Sequence, residues 1–532
     1  MKSAVPPVVS AAHLADCAAQ LSVAEFLTEQ ARQRPDQEAV IFEGQRLTYG
    51  DLDGRARAVA DQLRQLGIGR GEKVGIFFPN HTEYVAAFFA VVGLGAVVVP
   101  INPLLKFEEI AHILSDSDAR ALIAHERLLP EVRKCLPLVT GLAHLLVFGS
   151  SSALEADLPS SEQIDVVRLT AARKPSGAVA WPQAVEPQAD LAVLVYTSGT
   201  TGKPKGAMLS HANLLFGVRT ALNAFEVAER DRILAVLPLC HIYGLSVVML
   251  GIISRGGSLV IVEKFEAGTV LKAIEKEKIS LIPAVPAMYQ FLLMELEQNH
   301  YDISSVRCCW SGAAALPVEV LRGVESRFAA PVVEGYGLTE VSCVATANRL
   351  SGARKPGSVG PAFQGVQVSI FNSDGQVLAA GQENIGEIAI KGPNVMRGYH
   401  GQPRATAETL VDGWFLTGDL GYLDADGFLH IVGRKKELII RGGQNIYPRE
   451  IEEVIMRLDG VAEVAVIGVP DQYMGERVKA VVVNRAGGTL TTDQVKSHCA
   501  EHLAEYKVPR LVDFVEALPR NSTGKVLKRM LS

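Results

Sequence analysis

Residues 196–206 read Tyr196, Thr197, Ser198, Gly199, Thr200, Thr201, Gly202, Lys203, Pro204, Lys205, Gly206, directly after the apolar run 191–195. Hydroxyl side chains, two glycines and two lysines behind a buried strand make a donor-rich turn. Its backbone N–H groups can approach phosphate oxygens while the lysines supply charge. The spacing is not that of a Walker loop, since Gly199 and Gly202 are too close and Pro204 follows Lys203. Four more strings combine a flexible glycine with groups able to handle a nucleotide or a carboxylate. They are Gly335-Tyr-Gly-Leu-Thr-Glu340, Trp414-Phe-Leu-Thr-Gly-Asp419, Gly433-Arg-Lys-Lys-Glu437 and Asn521-Ser-Thr-Gly-Lys525. Taken singly, each is as consistent with an ordinary turn, a core tyrosine or a solvated chain end.

The elements that must hold these strings alternate. Residues 73–78, 96–100, 121–124 and 145–148 read as short buried strands, with helical stretches at 82–93 and 108–115. Such β-α-β alternation predicts a mainly parallel sheet covered by helices. Residues 150–188, rich in Ser, Ala, Pro and charge, read as a surface linker, and a second α/β unit runs from 189 to about 365. Between 366 and 433 the turns at Asn372-Ser-Asp-Gly375, Asp412-Gly413 and Asp424-Ala-Asp-Gly427 are closely spaced, which predicts a small antiparallel sheet or β-barrel. A last unit, 439–532, places Ile451, Val454, Ile455 and Leu458 on one helical stripe and adds strands at 461–469 and 477–484. The expected fold class is α/β: an N-terminal part (1–433) of two subdomains, about 20–188 and 189–365, plus the barrel, and then a smaller α+β domain.

At 532 residues, 48% of them hydrophobic and 21% charged, the chain is globular and multi-domain. Its net charge of −6 argues against a nucleic-acid partner. Seven scattered cysteines without a C-x-x-C pair exclude a disulfide framework or zinc cluster and suit a reduced, cytoplasmic setting. The apolar stretches 84–100 and 233–253 are interrupted by Gly, Pro or His241, so no transmembrane segment is expected.

The five strings occur in the order in which the adenylate-forming superfamily of acyl-CoA synthetases, luciferases and adenylation domains carries similar ones, and the resemblance spans residue 25 to the end. It implies an ATP-dependent acyl-CoA synthetase, an acid–thiol ligase that makes an acyl-AMP and then a coenzyme A thioester. Its substrates would be a carboxylic acid, ATP with magnesium, and coenzyme A. By the resemblance, residues 197–203 and Lys205 cradle phosphates, Tyr336 stacks on adenine, Thr339 bonds phosphate, and Glu340 and Thr200 hold magnesium. Gly312, Ala313, Glu334 and Gly335 complete the nucleotide site, Asp419 accepts the ribose hydroxyls, and Arg434 pairs with ribose or phosphate. Lys525 would offset the repulsion between carboxylate and α-phosphate. Lys436 matches the hinge (434–438) about which the small domain turns, bringing Gly442 and Gly443 in to pass the pantetheine arm.

The acyl pocket corresponds to His241, Tyr243 and Leu245, with Gly337 as an open floor. Amino-acid-activating relatives carry an aspartate where this chain has Cys240-His241, so an α-amino acid would leave its ammonium unpaired. Small residues at Gly337 and 313–315 favour a medium- or long-chain fatty acid, with an aryl acid second. The alternative acceptor is an acyl carrier protein; an inactive fatty-acid-binding module is the alternative of another class. No G-x-S-x-G elbow supports a serine hydrolase.

Overall fold

The computed structural model describes residues 21–149, 164–169, 181–197, 204–485, 488–520 and 526–531. Its first large sheet has seven strands in the order Asp165–Leu169, His144–Phe148, Ala119–His125, Lys73–Phe77, Val97–Ile101, Leu191–Thr197 and Lys205–Ser210. All neighbours are parallel except the last two, which form a hairpin. The central strands are buried almost throughout because helices cover both faces. In the helix Thr82–Gly93 every residue is buried, which accounts for its lack of a polar face.

The second sheet has eight strands, in the order Thr346–Ala347, Val332–Tyr336, Cys308–Ser311, Leu281–Ala284, Arg232–Ala235, Ser258–Ile261, Glu38–Phe42 and Gln45–Thr48. The division at 188/189 expected from the sequence is therefore corrected. Strands Leu191–Thr197 and Lys205–Ser210 complete the first sheet, while Glu38–Phe42 and Gln45–Thr48 close the edge of the second. The two sheets exchange strands, and one hydrophobic cluster spans both. The expected linker also contains a strand, Asp165–Leu169, at the edge of the first sheet.

Strands Gln367–Phe371, Gly386–Lys391, Leu410–Val411, Trp414–Leu423 and Leu429–Arg434 form the antiparallel half-barrel. The last unit has its own sheet of Ile439–Arg441, Gln444–Ile446, Val461–Asp471, Gly475–Asn484 and Leu511–Phe514, packed on helices Pro448–Ile455 and Thr492–His502. The break between these two sheets falls between Arg434 and Ile439. Among the described residues no helix is long and apolar enough to cross a membrane.

Candidate active site

The glycine-rich string begins on one strand of the hairpin and ends on the other, with Thr197 directly opposite Lys205. Ser198, Gly199, Thr200, Thr201, Gly202 and Lys203 lie outside the described residues. At the ends of these strands, four side chains from three distant segments meet. Tyr399 donates its hydroxyl to Glu340 Oε1 at 2.9 Å, Thr197 Oγ1 lies 3.5 Å from the same oxygen, and Lys205 Nζ sits 5.3 Å from the centre of the Tyr399 ring. Glu340 is buried on the short 3₁₀ turn Thr339–Val341, and burial pushes its carboxyl above the ordinary value. No sequence pattern pointed to Tyr399; it arrives through a long-range bridge, Ala207 with Tyr399.

A second group lies on the half-barrel. Asp419 and Arg434 face one another across paired strands, with Arg434 Nε 3.1 Å from Asp419 Oδ1. Tyr336 donates its hydroxyl to Asp419 Oδ2 at 2.6 Å. Gly418 before it has φ +71°, which turns the chain so that the Asp419 N–H reaches Thr417 Oγ1 at 3.1 Å. A carboxylate has about four acceptor positions, so Asp419 holds both neighbours and keeps capacity for ribose hydroxyls.

Glu334 lies on the same strand as Tyr336 and is 2% exposed. Its Oε1 accepts the Leu316 N–H at 3.2 Å, whereas Oε2 has no partner among the described residues, nor has Oγ of Ser311, its register partner. Burial raises the carboxyl to about 7, against the pull of Arg449 from the C-terminal unit. An orphaned carboxylate oxygen beside an orphaned hydroxyl is where an exocyclic amine or a water would be bound. Gly312 packs close to the Tyr243 ring, and Ala313 follows it with φ +67°, on the exposed lip.

On the acyl side, Asn102 donates to His241 Nε2 at 2.9 Å while its Oδ1 accepts the Leu104 N–H at 2.9 Å. This orientation makes Nε2 the acceptor, and burial holds the imidazole neutral, with its pKa lowered to about 4. The neighbouring backbone is clamped by residues of the loop and helix that follow the strand Lys73–Phe77. Asn80 bonds the Leu237 carbonyl and the Leu239 N–H, at 3.0 and 2.9 Å, and Tyr84 donates to the Leu239 carbonyl at 2.9 Å. Asn80, Tyr84 and Asn102 carried no signal in the sequence. Residues Tyr243–Leu250 form a π-helix that places Leu245 fully in the core, and Tyr243 donates to the Trp310 carbonyl at 3.3 Å. Gly337 is corrected: it does not open the pocket floor. A Cβ there would run into the carbonyl oxygen of Cys343 and come within 2.7 Å of Val344 Cα, so the glycine serves a close backbone approach.

The C-terminal unit bears on this site through its helix Pro448–Ile455. Arg449 Nη1 donates to the Ile431 carbonyl at 2.6 Å and Nε pairs with Glu453 at 2.8 Å. Lys436 is exposed on the turn Lys435–Glu437 between the units. Gly442 and Gly443, with φ +58° and +79°, make the tight turn of the hairpin Ile439–Ile446, and Met474 of the same unit covers Gly442. Lys525 lies outside the described residues; the flanking residues pair through the Leu527 N–H to the Pro519 carbonyl at 2.7 Å and a bridge from Arg520 to Val526.

The donor set suits magnesium only as part of a nucleotide complex. Among the described residues no three His, Cys, Asp or Glu side chains are placed to hold a metal, and Glu340 is one hard carboxylate beside Thr197 at the start of the glycine-rich string. Magnesium characteristically takes one or two carboxylates and completes its shell from phosphates and water.

Residues 27–400 match the AMP-binding enzyme family and residues 450–525 match the AMP-binding enzyme C-terminal domain, so the chain belongs to the AMP-binding enzyme family. It is an AMP-forming acid–thiol ligase, using ATP with magnesium and coenzyme A. It is 38% identical over 523 residues to a long-chain-fatty-acid–CoA ligase of Bacillus subtilis (strain 168), covering 95% of this chain and 93% of the relative. It is also 38% identical over 499 residues to a feruloyl-CoA synthase of Amycolatopsis sp., covering 94% and 96%. The crystal structure of the anthranilate CoA ligase AuaEII with anthranoyl-AMP superposes with a TM-score of 0.88 at 28% identity, covering 97% of this chain and 98% of that one.

Proposed function

We propose that this ligase activates a medium- or long-chain fatty acid, and that Lys205, Tyr399, Glu340, Tyr336, Asp419 and Arg434 hold the ATP. The observation carrying the assignment is that these six residues, from five separate segments, converge through Glu340 and Asp419 beside the phosphate-loop hairpin. Asp419 and Arg434 take the ribose, Tyr336 the adenine face, and Lys205 the phosphates. Glu340 and Thr200 hold the magnesium, which neutralises phosphate charge when bound. The substrate carboxylate attacks the α-phosphorus and pyrophosphate leaves. Lys525 and Thr339 offset the charge that builds there. The small domain then turns about Lys436, the coenzyme A thiolate attacks the acyl carbonyl past Gly442 and Gly443, and AMP leaves.

The neutral His241–Asn102 pair supports an acid without a second charged group, because the pair itself would not compensate one. An aryl acid is the second reading, favoured by the equal identity to a feruloyl-CoA synthase. The test is pyrophosphate release over a panel of C4–C18 fatty acids and aryl acids, with and without coenzyme A. Release greatest with C8–C16 acids, with thioester formed when coenzyme A is present, is the expected result. Greatest release with aryl acids overturns the substrate assignment. Release without any coenzyme A thioester moves the acceptor to an acyl carrier protein.

A further inference from the structure

The two strands that carry the ends of the glycine-rich string are gripped from outside the nucleotide site. The helix Phe107–Asp116 lies alongside them and presents His112 and Asp116, one turn apart and on one face. His112 Nε2 lies 3.2 Å from the carbonyl oxygen of Pro204, the residue that leads back into Lys205. Tyr196, at the other end, donates its hydroxyl to Asp116 Oδ2 at 2.6 Å, and burial together with the Asp116 charge keeps that phenol protonated. The His112 and Tyr196 rings meet edge to face with centroids 6.3 Å apart. Beyond the helix, Asp118 Oδ2 stands 3.8 Å from His400 Nε2, and the His400 N–H donates to the Gly206 carbonyl at 2.8 Å. One helix and the turn after it thus touch both strands, on the face opposite the Glu340 cluster.

This arrangement does more than fill space. A backbone carbonyl between two lysines is a poor anchor in water, where it exchanges freely with solvent; a ring N–H held by a rigid helix fixes its direction. Fixing Pro204 fixes where Lys205 leaves the strand, and Lys205 is the one described cation of the string, already lying over Tyr399. We propose that His112 and Asp116 are positioning residues for ATP: they clamp the two ends of the phosphate loop, His112 through the Pro204 carbonyl and Asp116 through the Tyr196 hydroxyl. The inference rests on the phosphate role given above to that loop. His112 and Asp116 touch neither substrate nor reacting atoms.

A clamp on the phosphate loop matters while triphosphate is bound and pyrophosphate is leaving, and not once the acyl-AMP exists. The two half-reactions therefore separate it from a general structural role. With the acid that gives fastest release in the panel, His112→Ala is expected to raise the KM for ATP in acid-dependent ATP–pyrophosphate exchange about fivefold to tenfold, the scale of one lost hydrogen bond. Transfer of the acyl group from synthetic acyl-AMP to coenzyme A should stay within about twofold of wild type. His112→Gln, whose amide N–H can reach the same carbonyl, should restore most of the ATP KM, and Tyr196→Phe should behave as His112→Ala does. An unchanged ATP KM in His112→Ala, or an equal loss in both half-reactions, overturns the clamp. If the wild-type protein itself shows no acid-dependent exchange, the proposed function falls instead, so the two failures are distinguishable.

Discussion

Glu334 is a buried carboxyl with one oxygen satisfied by the Leu316 N–H and one without a partner among the described residues. The folded chain keeps its proton to about pH 7, whereas an unfolded chain releases it near 4.5. Between those values the native state binds the extra proton, so stability falls as pH rises through this window and stays reduced above it. Glu334→Gln should therefore melt higher than wild type at pH 8 and close to it at pH 5, measured by thermal unfolding without nucleotide. A wild-type advantage at pH 8 would mean that the ionised carboxylate is paired in solution. At this scale the sequence was informative where chemistry is contiguous. Tyr336, Glu340, Asp419 and Arg434 each sit in a short string that is ordinary by itself and becomes informative through its order among the other four. Tyr399, Asn80 and Asn102 sit in unremarked surroundings and reach the site through strand pairing and helix packing that no local pattern encodes. Gly337 was legible as important, but for the wrong reason: only the approach of the Cys343 carbonyl, six residues on, discloses what its missing side chain is for.

The helix Pro448–Ile455 was readable from its single apolar stripe, and Ile451, Val454 and Ile455 are indeed buried. What the stripe could not reveal is the reach of its polar side. Arg449, with its side chain 13% exposed, crosses the break between the units to the Ile431 carbonyl. If each half-reaction needs its own orientation of the small domain, a contact made in one orientation biases the equilibrium by its own worth, about 1.5–3 kcal/mol for a hydrogen bond from a charged group. Arg449→Ala is thus expected to change the ratio of adenylation to thioester-formation rates by roughly tenfold to a hundredfold, with adenylation followed by pyrophosphate exchange and transfer followed from synthetic acyl-AMP. A ratio equal to wild type would mean that the contact persists in both orientations. The π-helix Tyr243–Leu250 was likewise beyond a sequence reading, since its apolar residues fit an ordinary buried helix equally well.

For the molecule as a whole, the order of elements was legible and their partnership was not. Alternating strands and helices declared parallel sheets, and the closely spaced turns declared the antiparallel half-barrel. A sequence groups neighbours, however, and here the strands on either side of the expected boundary, Asp165–Leu169 and Leu191–Thr197, belong to one sheet, while the early strand Glu38–Phe42 belongs to the other. The proposed division of labour between the units falls at the break between Arg434 and Ile439. Lys525→Ala should abolish acid-dependent pyrophosphate exchange, a drop of at least a hundredfold, because it removes a charge needed only as the carboxylate meets the α-phosphate. The same variant should still convert synthetic acyl-AMP to the thioester at a rate near that of wild type. Comparable loss of both steps would rule out a lysine that serves one half-reaction.

The exchange of strands also sets a timetable for synthesis. Glu38–Phe42 pairs in parallel with Ser258–Ile261, and Ser258 Oγ donates to the Glu38 carbonyl across 220 positions of sequence. At translation rates of about 5–20 residues per second, the early strand waits roughly 10–40 s on the ribosome for its partner to emerge. During that interval Val40 and Phe42, buried in the finished protein, have only the short hairpin partner Gln45–Thr48 and not the rest of the sheet. Synonymous codons between 43 and 257 set how long that exposure lasts.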